Sequence, residues 1–187
     1  MKMERQIMSA REIDLALARI AAEIVEVHPK LDDLLLVGIR RRGIPLGERL
    51  QKHIERLTQK KVRLGVLDIT LYRDDLTTVA AQPVVENTRI DGPVEGKKVV
   101  LVDDVLYTGR TIRAALDHLI DFGRPGKVEL AVLVDRGHRE LPIQADYVGK
   151  TVQTADEEVV EVQLPETDQA ERVMLTNRDS VRKKKGL

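Results

Sequence analysis

Val99-Val100-Leu101-Val102-Asp103-Asp104-Val105-Leu106-Tyr107-Thr108-Gly109-Arg110-Thr111 is the stretch on which the reading of this chain turns. Its four leading apolar residues form an unbroken run, the pattern of a strand buried on both faces of a parallel sheet. Two carboxylates follow at the strand end. A hydroxyl and glycine turn then opens a helix carrying Ala115, Leu116, Leu119 and Ile120 and ending at Gly123. In an open parallel sheet, ligands gather at the carboxyl ends of the strands. There the backbone N–H groups of Thr108, Gly109 and Thr111 would form an anion cradle at a helix N-terminus. Asp103 and Asp104 cannot share a phosphate, but they suit sugar hydroxyls or a metal ion. Neither Gly-Lys-Ser/Thr nor G-x-G-x-x-G spacing occurs between Val99 and Thr111, so this stretch is neither a Walker loop nor a dinucleotide fingerprint. The plain alternative is that the two acids cap a helix and Gly109 makes a turn.

Outward from this stretch, helical and strand-like apolar blocks alternate, which predicts an α/β fold with a central, mostly parallel sheet flanked by helices. Ser9-Ala10-Arg11-Glu12 is a capping box, followed by Ile13, Leu17, Ile20, Ile24 and Val27 at helical spacing up to His28, where Pro29 stops the helix. Leu34 to Ile39 reads as a buried strand, and Leu46, Leu50, Ile54 and Leu57 mark the helix after it. Further strands are predicted at Val62 to Leu71, Leu130 to Val134, Tyr147 to Gly149 and Val159 to Leu164. The polar stretch from Tyr72 to Gly96, with Pro83 and Pro93, reads as a flexible arm. A single domain over 1–176 and a basic, frayed tail over 177–187 are expected.

Two more loops carry charge. Gly38-Ile39-Arg40-Arg41-Arg42-Gly43 sets three guanidiniums between glycines directly after a buried strand, and arginine forks suit pyrophosphate oxygens. A solvated basic patch is the bland reading. Asp68 to Leu76 opens the arm, with Tyr72 readable either as a core residue or as part of a lid.

The stretch from Val99 to Thr111 resembles, at all thirteen positions, the 5-phosphoribosyl pyrophosphate (PRPP) motif of type I phosphoribosyltransferases. That resemblance implies the fold of the family, with a flexible arm and a small hood. It implies that Asp103 and Asp104 hold the ribose hydroxyls and that Val105 to Thr111 wrap the 5′-phosphate. It assigns pyrophosphate binding to Arg40, Arg41 and Arg42, and a water-excluding lid to Tyr72, Arg73, Asp74 and Asp75, with Arg89 as a second phosphate clamp. Mg²⁺ is implied with PRPP, with no direct protein ligation of a metal expected.

Ala131 to Ile143, including Asp135-Arg136-Gly137-His138-Arg139-Glu140, extends the resemblance to the branch of bifunctional pyrimidine operon attenuators with uracil phosphoribosyltransferase activity. Asp135, Arg136 and the backbone near Val160 are then the candidates for contacting uracil; the alternative is that Asp135 and Arg136 pair with one another. His138 reads as a structural loop residue. The implied partners are PRPP, uracil, UMP or UTP, and pyrimidine leader mRNA, with a homodimer or higher homo-oligomer expected. The competing reading is an enzyme without RNA regulation, for uracil or for a purine.

Composition narrows the rest. Among 187 residues, 31 Lys and Arg balance 31 Asp and Glu, so no net field draws in nucleic acid, and RNA would need a local patch. Arg5, Arg11 and Arg19, with the Arg40 to Arg42 region, are the candidates for it, although Ala18 and Ala22 beside Arg19 offer no side-chain hydrogen bonds. With three Tyr, one Phe and no Trp, the composition argues against an aromatic stacking platform. No cysteine is present, which excludes disulfides, thiolate zinc sites and a cysteine nucleophile. No segment approaches the roughly 18 apolar residues of a membrane span, so a cytoplasmic protein with no membrane partner is expected.

Overall fold

Ser9 starts the first helix in the manner its sequence predicts: its N–H donates to the Glu12 carboxylate at 2.7 Å while its hydroxyl accepts from the Glu12 N–H. In the computed structural model, which describes residues 4–70 and 88–177, that cap separates β1 (Arg5–Ser9) from α1 (Ala10–Val27). The chain continues through β2 (Leu34–Ile39), α2 (Gly43–Thr58), β3 (Arg63–Leu67), β4 (Lys98–Leu106), α3 (Arg110–Ile120), β5 (Lys127–Asp135), β6 (Tyr147–Thr151), β7 (Glu158–Gln163), α4 (Pro165–Asp168) and β8 (Arg172–Asn177).

Five strands form one parallel sheet in the order β3-β2-β4-β5-β6. Its centre is apolar on both faces, as continuous Val and Leu runs require. Leu34, Leu36, Val100 and Val102 pack under α1 and α2, whereas Leu35, Val37, Val99 and Leu101 pack under Ile112, Ala115 and Leu119 of α3. A smaller antiparallel sheet, β1-β8-β7, forms the hood. The hood is not a separate core, because Val160, Val162, Val173 and Leu175 belong to the same buried cluster as α1 and α2.

Three expectations are corrected. β4 does not stop before its two acids but continues through them to Leu106, because β5 goes on pairing with it there. The strand expected over Val62 to Leu71 ends at Leu67. α3 closes at Ile120, short of Gly123. The hood strands β1 and β8 and the short helix α4 carry no sequence signal strong enough to predict them. The expected arm falls largely on residues 71–87, outside the described residues.

At the amino ends of the strands the Glu129 carboxylate is buried against three donors: Lys127 Nζ and His28 Nε2, each at 2.5 Å, and the Tyr147 hydroxyl at 3.2 Å. Burial pushes the Glu129 carboxyl up, but Lys127 and His28 outweigh it and hold it below the ordinary glutamate value. Burial, with Glu129 alongside, drives the Tyr147 hydroxyl well above its usual range, so it stays a donor. Breaking a buried ionic group by removing one partner costs about 3 kcal/mol. Glu129→Gln should therefore lower folding stability by about that amount at neutral pH. Because the folded-state value is depressed, the carboxylate's contribution is complete above the ordinary glutamate pKa and is lost as pH falls through the folded one. Urea unfolding of both proteins should show the gap narrowing on acidification, and a gap independent of pH would contradict this account.

Candidate active site

The unequal neighbours of β4 create the site. β2 pairs with it only as far as Val102, opposite Gly38, while β5 pairs on to Leu106, opposite Asp135. Asp103 and Asp104 thus stand on a strand whose β2 side has just been vacated. Asp103 is buried and Asp104 half-buried. Their side chains also bind the backbone: the Asp104 N–H donates to Asp103 Oδ1 at 2.9 Å and the Val105 N–H to Asp104 Oδ1 at 3.0 Å. Gly109 follows with φ of 93°, a left-handed value that glycine adopts without a Cβ penalty, and caps α3. The Arg110 N–H reaches Thr108 Oγ1 at 3.3 Å. α3 therefore starts in the turn that directly follows the strand carrying the two acids, and a helix start leaves N–H groups without intrahelical partners.

The arginine loop lies against the same strand. A Cβ on Gly43 would meet the Val102 carbonyl oxygen at 2.2 Å, and one on Gly38 the Gly43 oxygen at 2.6 Å, so both glycines are required by close backbone approach. The Arg40 N–H donates to the Leu67 oxygen at 3.0 Å, its guanidinium lies 3.7 Å from Asp68, and the Arg40–Arg41 peptide is cis. Arg40 and Arg41 are exposed. Arg42 differs from both. Its Nε and Nη2 donate to Asp168 at 3.0 and 2.7 Å, so the third guanidinium is directed to the hood rather than grouped with the other two.

The segment after β5 folds over the turn that follows β4. Asp135 and Arg136 do not pair with one another, contrary to the plain sequence alternative. Asp135 takes a hydrogen bond from Arg139 at 2.6 Å, and Arg136 is buried with its guanidinium 4.1 Å above the Tyr107 ring while donating to Thr154 Oγ1 at 3.2 Å. Arg139 also donates to the Tyr107 oxygen at 2.9 Å, and the Glu140 and Leu141 N–H groups to the Thr108 oxygen at 3.0 and 3.1 Å. Arg110 pairs with Glu140 at 2.6 Å. Arg139 is a site residue that its sequence marks only as a cation four positions after Asp135. His138 Nε2 lies 2.7 Å from the Thr154 oxygen, a loop contact. Val160 is buried in β7, which forms one edge of the hood sheet.

Other expected residues lie elsewhere. Tyr72, Arg73, Asp74 and Asp75 fall outside the described residues. Arg89 bridges the edge strand β3 through Val66, with β2 between it and β4, and its exposed guanidinium is held by Asp91 at 3.1 Å. Arg5 and Arg11 are exposed on β1 and α1. Arg19 is half-exposed but tied down, donating to the Val148 and Gly149 oxygens at 3.1 and 2.7 Å and pairing with Glu23.

The structure thus brings together a strand that carries two acids near its carboxyl end, a glycine-capped helix that follows it, and an arginine loop packed against it. Residues 4–167 match the phosphoribosyl transferase domain family, and the chain belongs to that family. It is 57% identical over 178 residues to the bifunctional protein PyrR of a Thermoanaerobacter species, covering 95% of this chain and 100% of that one. To the bifunctional protein PyrR of Thermus thermophilus it is 56% identical over 179 residues, covering 96% and 99%. Among solved structures it is similar to a hypoxanthine phosphoribosyltransferase from Trypanosoma cruzi, with a TM-score of 0.71 at 20% identity over 94% of this chain and 96% of that one. A Staphylococcus aureus hypoxanthine phosphoribosyltransferase gives 0.68 at 21% identity over 95% and 94%. At such identity these two speak for the fold, which is that of type I phosphoribosyltransferases.

Gly43→Ala tests the close approach on which this geometry rests. The added methyl must push the arginine loop off β4, so thermal unfolding should show a loss of about 1–3 kcal/mol. An unchanged midpoint would mean that the loop is free to move.

Proposed function

We propose that this chain transfers the phosphoribosyl group of PRPP to uracil, giving UMP and pyrophosphate, and that with a pyrimidine nucleotide bound it grips the leader RNA of pyrimidine genes and promotes transcription termination. The observation that carries the first half is the strand of Val99 to Leu106, with its acids past the reach of β2 and the glycine-capped helix directly after it. Asp103 and Asp104 hold the ribose hydroxyls, and the N–H groups of the turn and first turn of α3 take the 5′-phosphate. Arg40 and Arg41 neutralise the departing pyrophosphate. Uracil lies between the hood and the segment from Asp135 to Arg139, where Arg136 is already rigid against Tyr107.

The uracil nitrogen attacks the anomeric carbon as pyrophosphate leaves, so no nucleophile of the protein is needed. The chain contributes position and charge. Among the described residues no group of three or more His, Cys, Asp or Glu is assembled for a metal. Mg²⁺ keeps waters and substrate oxygens and asks few ligands of the protein, so it would be held through PRPP and not by direct protein ligation. When bound with PRPP, the ion supplies further charge neutralisation at the leaving group. Residues 72–75 are proposed as the lid.

The relatives' name, bifunctional, supports the second half. Arg5 and Arg11 are free to meet phosphates, and half-exposed Arg19 adds to them across a homodimer or higher homo-oligomer in the cytoplasm. No helix among the described residues is long and apolar enough to cross a membrane.

Converting Asp103 and Asp104 together to Asn should lower kcat/KM for UMP formation by a factor of about 100 or more while the fold survives, since several kcal/mol of transition-state contacts disappear. Activity within about tenfold of wild type would remove the donor-site assignment. With equal enzyme, uracil should react faster than hypoxanthine; the reverse order would make the acceptor a purine. For RNA, gel-shift affinity for a pyrimidine-leader hairpin should fall linearly on a log–log salt plot and tighten with UMP. Absence of hairpin-selective binding at low salt would leave the enzyme alone.

A further inference from the structure

Asp168 sits in the hood, on a four-residue helix that no reading of the chemistry assigns a task. Its carboxylate is nevertheless built into a defined orientation. Oδ2 accepts from the Leu164 N–H at 3.1 Å, the Thr167 hydroxyl at 2.5 Å and Arg42 Nε, while Oδ1 accepts the parallel bond from Arg42 Nη2. Both side chains are largely withdrawn from solvent, at 30% and 20% exposure, so this is a fixed fork rather than a loose surface pair.

Arg42 is the last residue before α2 and sits between two tight fixings of its own backbone. Upstream, the Arg40 N–H is bound to the Leu67 oxygen; downstream, Gly43 is pressed on the Val102 carbonyl. From these observations, and resting on the donor-site reading above, we propose that Asp168 is a positioning residue for pyrophosphate. Its fork to Arg42 holds the 40–43 backbone, and hence Arg40 and Arg41, in register with Asp103 and Asp104. The hood thereby aligns the half of the site that receives the leaving group, although it lies on the acceptor side.

The rival role for Arg42 is that of a direct pyrophosphate ligand, and the two roles predict opposite signs. If Arg42 were the ligand, removing the Asp168 charge would release it and subtract a negative charge near the site, so pyrophosphate would bind more tightly. If Asp168 positions the loop, binding weakens. Hood docking in general can be separated from the fork because Arg49 of α2 makes its own ion pairs to Glu166 and Glu171, at 3.0 and 2.5 Å. Glu166→Gln loosens the same hood segment without touching the arginine loop.

The experiment titrates pyrophosphate with Mg²⁺ into the full chain by calorimetry, for wild type, Asp168→Asn, Asp168→Glu, Arg42→Lys, the Asp168→Asn/Arg42→Lys double variant and Glu166→Gln, with uracil-transfer kinetics run in parallel. Pyrophosphate affinity should fall about tenfold or more in Asp168→Asn and in Arg42→Lys, since a lysine keeps the charge but cannot form the fork. The double variant should be no weaker than either single one, as expected for two residues acting through one contact. Donor KM should rise with the loss of affinity while uracil KM stays within about twofold, and Asp168→Glu should recover part of the deficit. Glu166→Gln should keep wild-type affinity. Unchanged or tighter binding in Asp168→Asn overturns the proposal, as does an equal loss in Glu166→Gln. A wild type with no affinity for pyrophosphate overturns the donor-site reading and this inference together. A wild type that binds pyrophosphate but leaves uracil untouched removes only the acceptor reading, and the affinities still decide the role of Asp168.

Discussion

β4 is hydrogen-bonded in parallel to β2 as far as Val102 and to β5 as far as Leu106, and this unequal pairing determines the geometry of the whole ligand end. Where β2 departs, the chain must leave the sheet without colliding with the strand it has just released. It does so through Gly38 and Gly43, each lying where a Cβ would strike a backbone oxygen. Where β5 persists, the two acids remain on extended, paired backbone instead of a mobile loop. Functional side chains set on a paired strand keep their geometry better than side chains on loops, and this one carries charges that could not sit deeper in an apolar sheet.

Around that strand the charged residues act mostly on one another. Arg139 joins Asp135 to the Tyr107 carbonyl, Arg110 joins the start of α3 to Glu140, and Arg42 joins the arginine loop to the hood. Through Arg139 and Tyr107, Arg110 and Glu140, and Arg42 and Asp168, segments far apart in sequence are tied together. The exposed Arg110–Glu140 pair adds little stability by itself, and the common effect of the three is to fix the relative position of loops. Arg40 and Arg41 remain as the exposed guanidiniums of the loop beside the acids.

The elements that could be read in advance are those whose signal is local. Leu34 to Ile39 is apolar at every position, and the helix after Ser9 announces its start by a capping box and its end by Pro29. The hood was illegible in its parts. β1 offers only Arg5 to Ser9, with Met8 alone fully buried, and it becomes a strand by pairing with β8, the last described strand. Two adjacent aspartates looked like the end of β4 because charge ordinarily terminates a buried strand; the sheet tolerates them because its β2 side is open there. Among site residues, the type and spacing of Asp103, Asp104 and Gly109 were legible, whereas the partner of Arg42 lies 126 positions away and leaves no local trace. Arg19 could be read as a surface cation but not as one bound to β6 carbonyls.

The central claim is that one strand, one glycine turn and one helix start hold the phosphoribosyl group. A crystal structure of the chain with UMP tests it most directly. The account predicts the 5′-phosphate within hydrogen-bond reach of the N–H groups between Val105 and Thr111, and both ribose hydroxyls on the carboxylates of Asp103 and Asp104. A nucleotide bound with its phosphate elsewhere and its ribose clear of those two acids would contradict it.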